Sequence, residues 1–287
     1  MRKSWFALLA CVVLLTGWIG LGGSGTAKAE DSRLSQKVYG SPEELLPPLN
    51  YTVSIFNGTV GYEEGRPVMY TVSKGKPGQL NVIDLEDYKL LRSIPIPPSE
   101  SSWAHTVAPD GTLYVAADGS GARLWKYSPV THTVEQAASF AGESWPICIT
   151  TDEAGRVYVG TYPGGKVIQY DPATGQTKDY GRVIGNIAQE YVRSIAYQGG
   201  NIYAGTAHHQ IVRVNLETGE KTDIAASLNV PEGDDTVYDL DTIDNRYLFA
   251  RYTDGSGVPG PAYIYDTQTG SWLDTVLDNV TGLHETD

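Results

Sequence analysis

Cysteine is almost missing from this chain. There are two, Cys11 and Cys148. Cys11 lies inside an apolar N-terminal run, so a chain that loses that run keeps Cys148 alone and forms no internal disulfide. Cys148 stands in "WPICIT", where an inert buried thiol is expected rather than a nucleophile. Histidine is also scarce, at five residues. A zinc centre needs three or four converging ligands, so no metal site is expected. Basic residues are outnumbered, 21 Lys and Arg against 34 Asp and Glu. Without a basic footprint a nucleic-acid partner is excluded, and an acidic membrane surface is disfavoured. Long amphipathic helical patterns are lacking. "SPEELLPPL" at 41–49 allows one turn before its prolines stop it.

The first 29 residues read as an export signal. Arg2 and Lys3 open it, an apolar run follows from Trp5 to about Leu21, and Ala27-Lys28-Ala29 offers a cleavage site. The same run is long enough to serve as an uncleaved anchor. "LLAC" makes a poor lipoprotein signal, because little apolar sequence precedes Cys11. Losing Arg2, Lys3 and Lys28 takes the cations from 21 to 18 against 34 acids, a net charge of −16 on the mature chain. A secreted, periplasmic or cell-surface protein is expected, with residues 30–49 as a linker and no membrane contact once the signal is cleaved.

What the chain does have is a repeat. Tyr, Val, Ile and Thr recur in short runs broken by Gly, Asp, Asn and Pro, which are strand and turn signals. "RLWKYSPVTHTV", "KVIQYDPATGQT", "QIVRVNLETGEK" and "AYIYDTQTGSW" share one plan, and "QLNVIDLEDYKL" fits it loosely. Their common polar position falls at Asp84, Ser128, Asp171, Asn215 and Asp266, spaced 44, 43, 44 and 51 residues apart. Further anchors lie upstream in each unit, such as "LYVAA", "VYVGT" and "IYAGT". Each unit therefore reads as four short antiparallel strands, the blade of an all-β β-propeller. A β-sandwich with irregular hairpins is the alternative, and the constant period speaks against it. Residues 50–287 divide into blades at about 50–100, 101–143, 144–188, 189–234 and 235–276, with 277–287 as the start of a further blade. No sealing strand is evident, so about five blades of an incomplete larger ring are expected, with two open faces.

The "YDPATG" and "LETG" turns resemble the repeats of quinoprotein-like propellers. The units around "APDGTLYV" resemble those of streptogramin-lyase-like, NHL-type and propeller-type polysaccharide lyase proteins. The Gly-His and Trp-Asp dipeptides of WD repeats do not appear, and neither does the regular placing of Gly-Gly pairs seen in kelch blades. The resemblance implies an exported bacterial propeller and fixes no reaction.

Let strands A to D run outward from the channel. One face then collects the A–B and C–D turns, including His132, which is expected to be a solvated turn residue. The opposite, top face collects the leads into A and the B–C loops. There lie Trp103 and His105, Trp145, Tyr191 and Arg193, Tyr238, and the loop residues Asp118, Tyr162, His208, His209 and Asp254. Aromatic faces beside polar groups suit a sugar ring. Trp103, Trp145, Tyr162, His209 and Tyr238 are therefore candidate ligand-binding residues. If the site is catalytic, β-elimination beside a carboxylate is the reaction it suits. Arg193 would neutralise the acid, His105 or His208 would act as base, and Tyr191 or Tyr162 would protonate the leaving oxygen. Plainer roles stand beside these: interblade packing for the tryptophans, a satisfied channel position for His105, and an ion pair with Glu190 for Arg193. His208 and His209 are adjacent on an extended segment, point to opposite sides, and cannot easily share a metal. "DGSG", at 118–121 and 254–257, is too short for an EF-hand loop. The expected function is binding of an extracellular ligand, a carbohydrate above all, with no cofactor. The alternative is a non-catalytic protein-interaction or scaffold propeller. A quinone enzyme would need a cofactor pocket and calcium ligands that the sequence does not show.

Overall fold

The computed structural model describes residues 54–185, 190–233, 235–257 and 259–282. The signal at 1–29, the linker at 30–49 and the extreme C-terminus lie outside them. Every regular element among the described residues is a strand. Twenty strands form five four-stranded antiparallel sheets, each ordered as the chain runs. The first holds β1 (Ile55–Glu63), β2 (Arg66–Ser73), β3 (Gln79–Asp84) and β4 (Lys89–Pro95). The second holds β5 (Ser101–Val107), β6 (Leu113–Asp118), β7 (Ala122–Tyr127) and β8 (Val134–Phe140). The third holds β9 (Trp145–Thr151), β10 (Val157–Tyr162), β11 (Lys166–Asp171) and β12 (Gln176–Arg182). The fourth holds β13 (Val192–Gln198), β14 (Asn201–Thr206), β15 (Ile211–Asn215) and β16 (Lys221–Asp223). The fifth holds β17 (Thr236–Ile243), β18 (Tyr247–Thr253), β19 (Gly260–Asp266) and β20 (Ser271–Val280).

The first strands of successive sheets, β1, β5, β9, β13 and β17, pack side by side in that order. This is the arc of a propeller with about five blades, and its ring is not closed. Leu277 pairs with Ala262 and Val280 with Gly260. Residues 277–280 therefore complete the outer strand of the fifth blade and do not begin another. The correction has a simple cause: "TDGSGVPGPA" delays β19, so β20 extends beyond the average period.

The repeated polar position does the same job in every blade. Asp84 Oδ1 accepts from the amides of Glu86 and Asp87, both at 2.8 Å. Ser128, Asp171, Asn215 and Asp266 cap the same C–D turn in their own blades. Four residues later the backbone turns left-handed, at Tyr88, His132, Gly175, Gly219 and Gly270. Glycine fills this place in the last three blades because it adopts such a φ without a side-chain clash.

Alternate strand residues point to opposite faces, and four cores form between the five blades. The first joins Tyr70, Val82 and Leu80 to Leu113, Val115 and Tyr127. The second joins Tyr114, Ala116 and Leu124 to Val157, Val159 and Tyr170. The third sets Tyr158 and Val167 against Ile202, Ala204 and Val214. The fourth sets Tyr203 and Ile211 against Leu248, Tyr252 and Tyr265. The free faces of the terminal blades expose apolar residues. Val60, Met69 and Leu90 are exposed on the first blade, and Ile243 and Leu277 on the last.

Buried carboxylates hold the lower rim. Glu63 Oε1 accepts from Tyr127 at 2.7 Å and Tyr70 at 3.2 Å, while Oε2 meets Arg92. His132 Nε2 lies 3.5 Å from the same oxygen. His132 is thus more than a solvated turn residue: its turn folds it back onto the carboxylate between blades one and two.

Candidate functional site

In all five sheets the pairing of the first two strands slips once. Partners jump from Ile55↔Ser73 to Gly58↔Thr71 in the first sheet and from Ser102↔Ala117 to Ala104↔Ala116 in the second. In the third the jump is from Thr161↔Pro146 to Gly160↔Cys148. In the fourth and fifth it falls between Val192 and Ser194, and between Val237 and Asp239. The residues left unopposed are Phe56 with Asn57, Trp103, Ile147, Arg193 and Tyr238. A β-bulge kinks its strand and re-aims the extra side chain. Phe56, Trp103, Ile147, Arg193 and Tyr238 all line one cavity of about 540 Å³. One register defect, repeated in every blade, thus aims one side chain per blade at the channel mouth.

Other segments complete the wall. The leads into the inner strands bring Glu100, Ser101, Trp145 and Tyr191, and the B–C loops bring Lys74, Asp118, Gly119 and Gly255. Phe56 stacks on Trp103 with ring centres 4.2 Å apart and planes 7° from parallel. Trp145 stacks on Tyr162 at 5.3 Å, and Tyr162 meets Tyr191 edge-on at 6.1 Å. Trp103 packs one face against Phe56 of the neighbouring blade, yet it and Trp145 remain 42% and 51% exposed, which leaves part of each indole open to the cavity. Tyr238 lies within reach of two guanidinium groups, Arg193 at 3.8 Å and Arg251 at 4.9 Å. Arg251 is itself buried and donates from Nε to Asp239 Oδ2 at 2.7 Å.

The charges of the mouth are unequally engaged. Glu100 meets Lys76 at 3.2 Å, and Asp118 accepts from Ser101 Oγ at 2.5 Å. Lys74 and Arg193 face aromatic rings, those of Phe56 and Tyr238. Neither forms an ion pair among the described residues. The alternative partner for Arg193, Glu190, is taken: its Oε1 accepts from the Tyr191 amide at 2.7 Å, and its Oε2 lies 3.1 Å from His208 Nε2.

Below the mouth is a smaller chamber of about 170 Å³, lined by Asn57, His105, Cys148, Ser194 and Asp239, with Arg193 and Tyr238 reaching into it as well. His105 is buried, and neither ring nitrogen has a hydrogen-bond partner. Burial without a partner lowers its pKa to about 4, so the ring is neutral at neutral pH. Three other polar side chains of its wall are satisfied. Asn57 donates to Trp103 O, Ser194 to Val237 O, and Cys148 to Val192 O. Burial raises the Cys148 thiol to about 12, which leaves it un-ionised and unreactive.

The mouth therefore gathers Trp103, Trp145, Tyr191, Arg193 and Tyr238, with Tyr162 behind the wall and His105 beneath it. The histidine pair lies elsewhere. His208 is half exposed against Glu190. His209 takes a left-handed φ of 73°, and its ring sits 5.4 Å from that of Tyr252. The left-handed residue turns the two side chains apart. Phe56, Ile147 and Lys74 are lining residues that sequence reasoning does not single out. The "SW" shared by "SSWAH" and "ESWPI" aligns Trp145 with Trp103, whereas the bulges align Ile147 with Trp103. Among the described residues no group of three His, Cys, Asp or Glu could hold a metal.

No family model matches the chain, and no curated protein matches it. Solved structures do. The extracellular domain of a candidate one-component system from B. thetaiotaomicron matches at 15% identity with a TM-score of 0.56, over 80% of this chain and 28% of that one. The extracellular domain described as that of a candidate hybrid two-component system, from the same organism, matches at 16% identity with a TM-score of 0.56, over 84% of this chain and 30% of that one. A protein of unknown function from Bacteroides caccae matches at 17% identity with a TM-score of 0.53, over 77% and 81%. The chain thus spans less than a third of the two extracellular domains. Likeness at these identities is a likeness of fold, and the fold it shares with them is one of repeated four-stranded sheets.

Proposed function

We propose that this protein is an exported propeller that binds an extracellular carbohydrate at its channel mouth. One observation carries the reading: bulges in all five blades turn Phe56, Trp103, Ile147, Arg193 and Tyr238 into one open cavity. Its exposed indoles offer flat apolar faces to sugar rings, and its polar groups can hydrogen-bond the ring edges. The fold likeness to extracellular domains of candidate regulatory systems is in keeping with a receiving role outside the cell. Among the described residues no helix is long and apolar enough to cross a membrane. β-Elimination has less behind it. Its proposed groups are dispersed, with His208 held at Glu190 outside the cavity and His105 in the chamber below. A protein partner is the second reading, favoured by the exposed apolar residues on the two free blade faces.

Isothermal titration against neutral and acidic oligosaccharides tests the proposal, with tryptophan fluorescence as a second signal. Binding should appear for at least one class, and Trp103→Ala should weaken it by about 5- to 150-fold if the sugar–indole contact is worth about 1–3 kcal/mol. Equal affinity in wild type and Trp103→Ala would rule out the mouth as the binding site.

A further inference from the structure

We infer that the chamber beneath the mouth is a specificity subsite for an anionic arm of the ligand, read by Arg193 and His105. This rests on the carbohydrate reading above and deepens it. Asn57, Ser194, Cys148 and Asp239 all line the chamber, and each has a protein partner. His105 has none on either nitrogen. A buried polar group without a partner costs stability, and His105 in the chamber wall is placed to take a partner supplied from outside. Arg193 spans both cavities. Its guanidinium lies against Tyr238, an arrangement that leaves donors for a planar oxyanion.

Charge points the same way. The charged groups around the chamber are Arg193, Arg251 and Asp239, and the last two neutralise each other. His105 is neutral and Cys148 is protonated, so one uncompensated positive charge remains. Above it the cation Lys74 is balanced by the Asp118 carboxylate, which accepts from Ser101, while Glu100 is paired with Lys76. In a chain whose charge is otherwise strongly negative, Arg193 thus leaves the chamber with one cation to receive an anion. In the proposed pose a sugar ring lies on Trp103 with its carboxylate or sulfate pointing down the channel. The oxyanion accepts from Arg193 and from the N–H of the neutral His105 ring.

The test pairs charged probes with neutralised counterparts: oligogalacturonate with its methyl ester, oligoglucuronate with its methyl ester, and a sulfated galactan with its desulfated form. Binding is measured by calorimetry on the wild type, Arg193→Gln and His105→Phe. The His105 ring is followed by nitrogen NMR on the wild type, which needs no variant. The expected result is that one charged probe binds at least tenfold tighter than its neutral partner, a preference that hydrogen bonds to a charged group can supply. The ratio of charged to neutral affinity falls in both variants, whatever either variant does to the neutral probe alone. His105 ring signals move with the charged probe alone. Saccharide binding that depends on Trp103, with no preference for charge in any pair and unmoved His105 signals, overturns the subsite and leaves the carbohydrate reading standing. No binding by any saccharide overturns both.

Discussion

Gly160 and Gly205 occupy one place in successive repeats, in "VGT" and "AGT", beside the bulges that carry Ile147 and Arg193. A methyl group added at Gly205 would sit 2.5 Å from Val237 Cγ1, 2.8 Å from Val237 Cβ and 2.5 Å from Ser194 Oγ. None of these can swing away freely. Val237 is β-branched and fully buried, and Ser194 Oγ donates to Val237 O at 2.8 Å, tying β13 to β17. Gly205→Ala must therefore push two inner strands apart. Overpacking of this kind costs about 1–3 kcal/mol, and a weakened buried hydrogen bond adds about 1 kcal/mol. The lower entropy of alanine in the unfolded chain returns about 0.4–1 kcal/mol. The net loss should be about 2 kcal/mol, a fall in urea midpoint of roughly 0.7–1 M if the slope is about 2–3 kcal/mol/M. Urea unfolding followed by fluorescence measures it. Gly185→Ala is the control, because nothing among the described residues lies within 4 Å of the added carbon there. Since Ser194 and Val237 flank Arg193 and Tyr238, Gly205→Ala should also weaken ligand binding. A midpoint within about 0.2 M of wild type would refute the reasoning, because that slope makes it under about 0.6 kcal/mol.

Two further outcomes follow from buried ionisable groups. His105 is held to about 4 in the fold against about 6.5 unfolded, so the unfolded chain binds the extra proton between those values. Its share of stability is intact above pH 6.5 and falls by about 3 kcal/mol on acidification to pH 4. Urea midpoints of wild type should drop across that window relative to those of His105→Phe, and parallel curves would contradict it. Asp266, lowered to about 2 mainly by its hydrogen bond from Arg246, loses its share as pH falls from its ordinary value toward 2, so it touches only the acid end of the window and cancels between wild type and His105→Phe. Glu63→Ala strands Arg92 and two tyrosine hydroxyls on the lower rim. It should cost about 3 kcal/mol and lower Tm by the order of 10 °C, with ligand affinity unchanged; calorimetric melting checks the first and titration the second.

The blades were legible because their signals are local. A C–D turn needs a side-chain acceptor at Asp84, Ser128, Asp171, Asn215 and Asp266, and a left-handed residue four places on. Both requirements leave residue types in the sequence, and so does the alternation of buried tyrosines and valines. The side of the molecule that holds the site was legible too, since strand order alone puts Trp103, Trp145, Tyr191, Arg193 and Tyr238 at one end. The bulges were not. A slip in register is a relation between two strands, and Phe, Trp, Ile, Arg and Tyr share no property that would mark their positions as equivalent. Nor was the fate of His208 and His209, which depends on a left-handed φ and on Glu190 reaching across from the previous loop. The end of the fifth blade was misplaced because an inserted loop before β19 breaks the period on which the boundary rests.

The contrast between turns and bulges has a consequence for the site. At the turns the repeat keeps the side chain, because the side chain makes the turn. At the bulges it keeps the slip and lets the side chain vary, because backbone pairing on either side holds the slip in place. Each bulged residue is then aimed by the scaffold without contributing to it. Ile147 is the simplest place to test this, being partly exposed at the cavity wall and in no charged network. Ile147→Tyr should leave the urea midpoint close to wild type, within about 0.5 kcal/mol of stability, while changing which saccharides bind. If the bulge instead depended on isoleucine, the substitution would destabilise the protein by an amount typical of core overpacking, about 1–3 kcal/mol. Selectivity that moves while stability stays fixed is the outcome expected of a mouth in which the blades set where a side chain points and the repeat leaves open which side chain it is.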